Sequence, residues 1–368
     1  MVSVAVCLLL PPVLCRGQSE TGETIPLLQD VIHQDFSTRD SEKTTNDPQQ
    51  DARECLGQLL WKATEFPVYC RLPVSTGASA LIQFPSAKPC GQAANDMVAM
   101  DWYAVTDPNG SLIPSPGLVV VHESGRGMTV GRLIARGLRD RGLHTFMVHL
   151  PFYGQRRTGN NKPEDEDFAV LMSQGIADVC RAKDAVAVLP TVSRDQVSLQ
   201  GTSLGGFVAA TAAGLDSGYS SVFILLAGGN LPALIATGQR ETAQLKSVLE
   251  SKGFTGSRLD DLMYRFEPNR LAHRLNRETV WLYSATFDTV VPPVHADAFA
   301  KAARLDDSHH IRMPATHYSG IIFLPMILDD IAVKAGGRAI TGTAESRAES
   351  MPAENRPLPT DSDASPKK

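Results

Sequence analysis

Apolar residues along the chain follow two periods, one typical of buried strands and one of helices. Residues 118–121 form an uninterrupted apolar run, as expected for a strand buried on both faces of a parallel sheet. We predict strands at 80–84, 97–105, 117–121, 144–149, 196–200, 221–226, 279–284 and 309–313. Helical patterns separate most of them, at 128–141, 166–189, 204–216, 293–304 and 318–334.

This alternation predicts an α/β fold with a mostly parallel central sheet of about eight strands and helices on both faces. The first two predicted strands have no helix between them, so we expect an antiparallel, hairpin-like pair at one edge. Residues 229–276 break the alternation, because they contain helical stretches at 231–252 and 258–265 but no strand. We interpret 229–276 as a small helical cap or lid inserted over the C-terminal edge of the sheet.

The regular pattern is confined to residues 53–335, which we interpret as one domain. Residues 1–17 are apolar and then polar, as in a signal peptide, although Leu14 is large where a small residue is expected. Residues 18–52 are polar and predict a flexible leader, and 336–368 predict a disordered tail. Export to the periplasm or the extracellular space is therefore expected. The alternatives are a buried N-terminal strand or a mis-assigned start in a cytoplasmic protein.

Composition narrows the classes of partner. The chain has 35 basic and 40 acidic residues, a net charge of −5, and 43% hydrophobic residues, which suits a globular protein with a substantial core. No basic stripe is present, so nucleic acid is not an expected partner, and no apolar run has the length of a transmembrane segment. Cys55, Cys70 and Cys90 lie close enough in sequence for one disulfide in an oxidising compartment.

The most specific local motif is Gly-Thr-Ser-Leu-Gly at residues 201–205. A strand-like segment at 196–200 precedes it, and the small apolar residues 207–213 follow it like a tightly packed helix. Such a strand–turn–helix holds the serine in a strained turn and exposes its hydroxyl, as a nucleophile requires. Because Gly and Ser are common in turns, an ordinary turn is the alternative unless partner residues exist. We predict Ser203 as a nucleophile.

A serine nucleophile needs a base, and the base needs a carboxylate that orients it. On this type of fold the order along the chain is Ser, acid, His, with each residue in a loop after a strand. Asp288 follows the strand at 279–284, and His317 follows the strand at 309–313. Their order and loop positions favour His317 over His295 as the base, and they favour a catalytic role for Asp288 over that of an ordinary turn residue. The predicted catalytic residues are therefore Ser203, Asp288 and His317.

Two backbone N–H groups normally stabilise the oxyanion in such a site. One is expected from Leu204, and the other from Ser124, or alternatively Glu123, in the Gly-rich loop that follows residues 117–121. Tyr153 and Arg156 follow the strand at 144–149. These two residues could contact a substrate carboxylate or sugar, or they could simply fix their loop, and Glu123 is a further possible substrate contact.

His122 and His149 end adjacent predicted strands and invite the idea of a metal site. No carboxylate or cysteine in the sequence pattern completes a ligand set with them. No metal and no other cofactor is therefore predicted.

Over residues 80–335 the chain resembles the α/β-hydrolases, and most closely the dienelactone hydrolase-like and acetyl xylan esterase-like branch. The resemblance rests on the loop at 122–124, the segment at 151–157 and the residues Ser203, Asp288 and His317. It implies a serine hydrolase that acts on a small-molecule or carbohydrate ester through an acyl-enzyme.

The same resemblance implies that Glu123 interacts with the nucleophile. Dienelactone hydrolases use a cysteine nucleophile, whereas this chain carries Ser203, so dienelactone is not implied as the substrate. An acyltransferase or peptidase with the same three residues is one alternative. A non-catalytic binding protein with this fold is another.

Overall fold

The computed structural model describes residues 25–41, 43–157, 159 and 167–340. The predicted signal peptide at 1–17, the first part of the predicted leader (18–24) and residues 341–368 of the predicted tail lie outside these ranges. None of the helices within the ranges is both long and apolar enough to cross a bilayer.

Ten strands of the described chain form one sheet, in the order β1-β2-β3-β4-β6-β5-β7-β8-β9-β10. The strands are β1 (Asp35–Arg39), β2 (Glu65–Arg71), β3 (Ala80–Pro85), β4 (Met97–Tyr103), β5 (Ser115–Val121), β6 (His144–Val148), β7 (Val192–Thr202), β8 (Val222–Leu225), β9 (Val280–Ala285) and β10 (His310–Met313). The pairings from β1 to β4 and between β4 and β6 are antiparallel. Strands β5 to β10 are parallel to one another, so their carboxyl ends lie at one edge.

The described chain also has eleven α-helices, which include those on both faces of the sheet. They are α1 (Leu28–Val31), α2 (Gln50–Leu59), α3 (Ala93–Asp96), α4 (Thr129–Arg139), α5 (Phe168–Ala187), α6 (Leu204–Leu215), α7 (Leu231–Thr237), α8 (Glu241–Ser251), α9 (Ser257–Arg265), α10 (Pro293–Ala303) and α11 (Leu324–Lys334). Helix α4 packs with α11, and α5 packs with α6. The crossover through α4 runs from β5 to β6, and the one through α5 runs back from β6 to β7. Right-handed crossovers in opposite directions place the two helices on opposite faces.

The fold class predicted from the sequence is confirmed, and all eight predicted strands are present. The count of about eight is too low, because β1 and β2 add two strands beyond the predicted antiparallel pair. Strand β1 is short and only half-buried on one face, so it has no strong apolar period. Strand β2 does alternate, with Phe66, Val68 and Cys70 buried.

The interpretation of residues 18–52 as a flexible leader is wrong for the part that the structure describes. Residues 35–39 form the edge strand β1, and α2 begins at Gln50. The start of the predicted tail is also bound to the domain, since Arg338 donates its backbone N–H to the Arg141 carbonyl at 2.9 Å. Ile340 donates its backbone N–H to the Asp329 carboxylate at 2.9 Å. The sequence pattern does not predict these contacts, because they are hydrogen bonds of polar segments and leave no apolar periodicity.

The four cysteines in the described ranges are unpaired, so the disulfide expected among Cys55, Cys70 and Cys90 is not formed. Cys55 lies in α2, Cys70 in β2, and Cys90 in the loop after β3, where its sulfur accepts a hydrogen bond from the Asn95 side chain. Burial raises the pKa of the Cys55 and Cys70 thiols to about 11, so both remain protonated near neutral pH.

A buried ion pair fastens the N-terminal segment to the domain. Arg181 of α5 donates its Nε–H to the Asp40 carboxylate at 2.8 Å, and the two side chains are 4% and 1% exposed. Thr64 donates its backbone N–H to the same carboxylate at 3.0 Å, and Trp61 donates its indole N–H at 3.1 Å. Burial alone would raise the pKa of Asp40, but the hydrogen bonds from Arg181 and Thr64 outweigh it and hold the pKa below its ordinary value.

We expect Asp40→Ala to lower the free energy of unfolding by about 3–5 kcal/mol, because it leaves the Arg181 guanidinium buried without its counter-ion. Asp35→Ala is the matched control. It removes an ion pair with Arg71 whose side chains are 57% and 35% exposed, so the expected loss is about 0–1 kcal/mol. Urea unfolding of both variants measures the difference.

The contribution of Asp40 should also depend on pH in a defined direction. Because its pKa is depressed in the folded state, its stabilisation is complete above about pH 4, the range of an unfolded Asp. It disappears as the pH falls through the folded-state pKa. Equal losses in the two variants at neutral pH would contradict the assignment of Asp40 as the anchor.

Candidate active site

Ser203 lies at the sharp turn between β7 and α6, at the carboxyl edge of the parallel strands. Its backbone has φ 53° and ψ −117°, a conformation that L residues rarely adopt. Its backbone N–H donates to the Leu225 carbonyl of β8 at 2.9 Å, which fixes the turn to the neighbouring strand. The serine side chain is only partly buried. The turn therefore presents the hydroxyl rather than packing it in the core.

Gly201 and Gly205 flank the turn, and both must be glycine because backbone carbonyl groups lie too close to leave room for a Cβ. A Cβ on Gly201 would lie 2.2 Å from the carbonyl oxygen of Gly205. A Cβ on Gly205 would lie 2.3 Å from the carbonyl oxygen of Val121 and 2.5 Å from that of His122. The first turn of α6 therefore packs directly on the loop that follows β5.

His317 and Asp288 meet Ser203 at this edge, in the loops after β10 and β9. His317 Nε2 is 3.1 Å from Ser203 Oγ, and His317 Nδ1 is 2.6 Å from Asp288 Oδ2. The other oxygen of Asp288 accepts the backbone N–H groups of Val290 and Val291 at 2.8 and 2.9 Å. The Asp288 side chain is 2% exposed and fixed by these bonds. The structure thus brings all three sequence-predicted residues into one hydrogen-bonded chain.

The loop after β5 lies beside the start of α6. Helix α6 begins at Leu204, and the first N–H groups of a helix have no intrahelical acceptor. Ser124 and Leu204 line the same cavity as Ser203. Tyr153 donates its hydroxyl to the Ser124 carbonyl at 2.9 Å, so this predicted contact residue holds the loop and also forms part of the cavity wall.

A neutral histidine, His122, holds the loop after β5 in place. Burial lowers the pKa of His122 to about 3, so the ring is uncharged near neutral pH. Its Nε2 accepts the Leu150 backbone N–H at 3.1 Å, so the proton resides on Nδ1, which donates to the Glu123 carbonyl at 2.6 Å. The ring also contacts Tyr153, with 4.6 Å between ring centroids. His122 therefore joins the loop after β5 to the end of β6.

Glu123 has a different role from the one implied by the resemblance. Its carboxylate accepts the backbone N–H groups of Val130 and Gly131 at 3.1 and 3.0 Å, at the start of α4. A carboxylate in this position satisfies orphan N–H donors and interacts favourably with the helix dipole. The side chain is thus bonded to α4 and not to the nucleophile.

Of the two roles that the sequence left open for Arg156, the structure supports the fixing of its loop and not contact with substrate. Its side chain is fully buried and forms an ion pair with Asp178 of α5 at 2.7 Å. The guanidinium also donates to the carbonyls of Asn95 and His149 at 2.8 and 3.1 Å. Arg156 therefore fixes the loop after β6. Its partner Asp178 lies inside a helix, and no pattern in the sequence indicates the pairing.

His149 also has partners that account for it. Its Nδ1 accepts the Gln155 backbone N–H at 3.1 Å, and its Nε2 lies 3.2 Å from the Asp101 carboxylate. Arg132 donates to the same carboxylate at 2.8 Å. Within the described ranges, no three His, Cys, Asp or Glu side chains are grouped so as to hold a metal ion.

A cavity of about 240 Å³ opens beside Ser203. Its floor is formed by α5, α6 and the loop after β9, and its roof by α7, α8 and α9. The roof residues were not among the sequence-predicted site residues. Their signal was nevertheless present, because apolar positions recur at helical spacing in this segment: Leu231, Leu234, Ile235, Leu245, Val248 and Leu249.

No family model and no curated protein matches the chain by sequence. Solved structures with a similar fold do exist. An acetyl xylan esterase from Paenibacillus sp. R4 is 14% identical, with a TM-score of 0.53 over 83% of this chain and 98% of that one. Acetyl Xylan Esterase 1 from Thermoanaerobacterium sp. JW/SL YS485 is 15% identical, with a TM-score of 0.52 over 78% and 94%.

A third similar structure is the α/β hydrolase GrgF from Penicillium sp. sh18, which is 12% identical, with a TM-score of 0.51 over 72% of this chain and 98% of that one. Identities this low carry information on the fold and none on the substrate. The resemblance found in the sequence is confirmed at that level. The fold that this protein shares with all three is the α/β-hydrolase fold.

Proposed function

We propose that the protein is a serine hydrolase that cleaves a carboxylic ester through Ser203, His317 and Asp288. The observation that carries the proposal is the hydrogen-bonded chain itself. Ser203 Oγ is 3.1 Å from His317 Nε2, and His317 Nδ1 is 2.6 Å from Asp288 Oδ2, with the serine on a strained turn beside a cavity. Nucleophile, base and orienting carboxylate are thus each within hydrogen-bond reach of the next.

The geometry supports the following sequence of steps. Ser203 Oγ attacks the ester carbonyl carbon while its proton passes to His317 Nε2. Asp288 keeps the other ring proton on Nδ1 and stabilises the imidazolium that forms. The C–O bond to the alcohol then breaks, and His317 gives its proton to the departing oxygen. Water, deprotonated by His317, attacks the acyl-enzyme, releases the carboxylic acid and restores Ser203.

The negative charge that develops on the carbonyl oxygen requires nearby donors. The backbone N–H of Leu204 is one donor in this proposal, because it begins α6 and directly follows the nucleophile. Ser124 is favoured over Glu123 for the second, since Ser124 lines the cavity with Ser203 and Leu204. His122 and Tyr153 act as positioning residues, because they hold this loop through its backbone.

We expect Ser203→Ala to lower kcat for short p-nitrophenyl esters by about 10⁴-fold or more, because the attacking atom is removed. Labelling by a fluorophosphonate probe should disappear in the same variant. Ser247→Ala, at an exposed position on α8, is the control and should keep both properties. Turnover by folded Ser203→Ala protein at the wild-type rate would contradict the mechanism.

We expect Asp288→Asn to lower kcat by roughly 10⁴-fold with little change in KM, because an amide favours the wrong tautomer of His317. Asp297→Asn is a matched change at an exposed carboxylate paired with Arg312, and it should leave kcat unchanged. Steady-state kinetics with one ester measures both. A loss of less than tenfold in Asp288→Asn would argue against a role in orienting the base.

A further inference from the structure

The cavity beside Ser203 has mainly aliphatic and aromatic walls. Leu231, Leu234 and Ile235 of α7 and Leu245 and Val248 of α8 form the roof. The floor adds apolar side chains from three elements: Phe168, Leu171 and Met172 of α5, Phe207 of α6, and Val290 and Val291 of the loop after β9. Burying an aliphatic group against such walls is favourable in proportion to the area removed from water.

Most of the charged and amide side chains of the cavity lie where it meets solvent. Glu241, Gln244 and Lys252 are at exposed positions on or next to α8. The Glu241 carboxylate is already bonded to the Tyr318 hydroxyl. Deeper in the roof, the Thr242 hydroxyl donates to the Val290 carbonyl at 2.8 Å. A polyhydroxylated group placed inside would lose hydrogen bonds to water without replacing them, which costs free energy.

The position of His317 indicates which half of an ester enters this cavity. The cavity reaches Ser203 beside Leu204 and Ser124, and His317 is not among the described residues that form its wall. The departing alcohol oxygen must take its proton from His317 Nε2, so the alcohol half has to lie at His317. The acyl half is therefore the one that extends into the cavity.

The size of the cavity sets the length of the acyl group. An acetyl ester would place only a methyl group there, because its carbonyl oxygen is held at the oxyanion donors. A volume of about 240 Å³ is many times the 10–15 Å³, roughly, that one water molecule needs, so several methylene groups have room in it. A chain of several methylenes would fill it.

We propose that the substrate is an ester of an aliphatic carboxylic acid of roughly six to ten carbons, whose chain lies between α5, α6 and the three helices of the 229–276 insertion. The proposal rests on the proposed esterase function of Ser203. The insertion is then a specificity element, since it supplies the roof that an acyl chain contacts.

The first test is a series of p-nitrophenyl esters from acetate to dodecanoate, kept below the concentration at which they form micelles. The leaving group is constant, so differences in kcat/KM report on the acyl half alone. We expect kcat/KM to rise about threefold per methylene, or roughly 100-fold from acetate to hexanoate, and to fall again for the longest chain. A profile that is flat or falls from acetate onward would overturn the inference.

The second test makes the cavity smaller by placing a larger side chain in its roof. Val248 is half-buried and lines the cavity, whereas Ser247 next to it on α8 is exposed and does not. We expect Val248→Trp to lower kcat/KM for octanoate at least tenfold more than kcat/KM for acetate, and Ser247→Trp to change neither. If Val248→Trp does not fold, Leu245→Phe narrows the same roof. An unchanged chain-length profile in a folded roof variant would contradict the placement of the acyl chain.

Fluorophosphonate labelling separates this inference from the function on which it rests. Wild-type protein that is neither labelled at Ser203 nor active on any ester contradicts the proposed esterase function. Protein that is labelled and prefers acetate contradicts only the assignment of the acyl chain to the cavity. Labelled protein that prefers hexanoate or octanoate and loses this preference in Val248→Trp supports both.

Discussion

The contact on which the candidate site depends is the close approach of α6 to the loop after β5. Gly205 lies so near the carbonyl oxygens of Val121 and His122 that a Cβ would meet them at 2.3 and 2.5 Å. This approach brings the N–H of Leu204 and the loop containing Ser124 to the same wall of the cavity. The strained turn at Ser203 is maintained because strands and helix fix both of its ends. The positions of Ser203, Leu204 and the loop that contains Ser124 therefore all follow from one packing constraint.

Elements with apolar runs or required glycines could be predicted from the sequence, whereas elements held by polar contacts between distant residues could not. The parallel strands are continuous apolar runs, and the turn at 201–205 requires glycines, so the fold and the position of Ser203 were both accessible. Asp288 and His317 followed from the order of loops on such a sheet. Strand β1 was not accessible, because it is half-exposed at an edge and is attached by backbone pairing with β2 and by the ion pair between Asp40 and Arg181 that follows it. Polar contacts between distant parts of the chain leave no periodicity.

The same limit explains the outcome for Glu123 and Arg156. Both occur in loops after parallel strands, where side chains can contact a ligand, and composition alone does not show where they turn. The structure directs Glu123 to the N-terminus of α4 and Arg156 to Asp178 of α5. Each satisfies backbone or charged groups that would otherwise be unpaired within the domain. These residues therefore fix the backbone of the loops that border the candidate site.

In the proposed function, the sheet determines the type of reaction, and residues 229–276 determine the substrate. The carboxyl edge of β7, β9 and β10 holds the three residues of the hydrogen-bonded chain, and this arrangement would serve almost any ester. Selectivity requires contacts that differ between substrates, and in the proposal these come from leucine, isoleucine and valine side chains of α7 and α8. These helices could be recognised in the sequence as a break in the alternation of strands and helices. That their apolar faces line a cavity beside Ser203 is visible only in the structure. An aliphatic roof discriminates by length and area rather than by hydrogen bonds, so its selectivity increases gradually with each methylene.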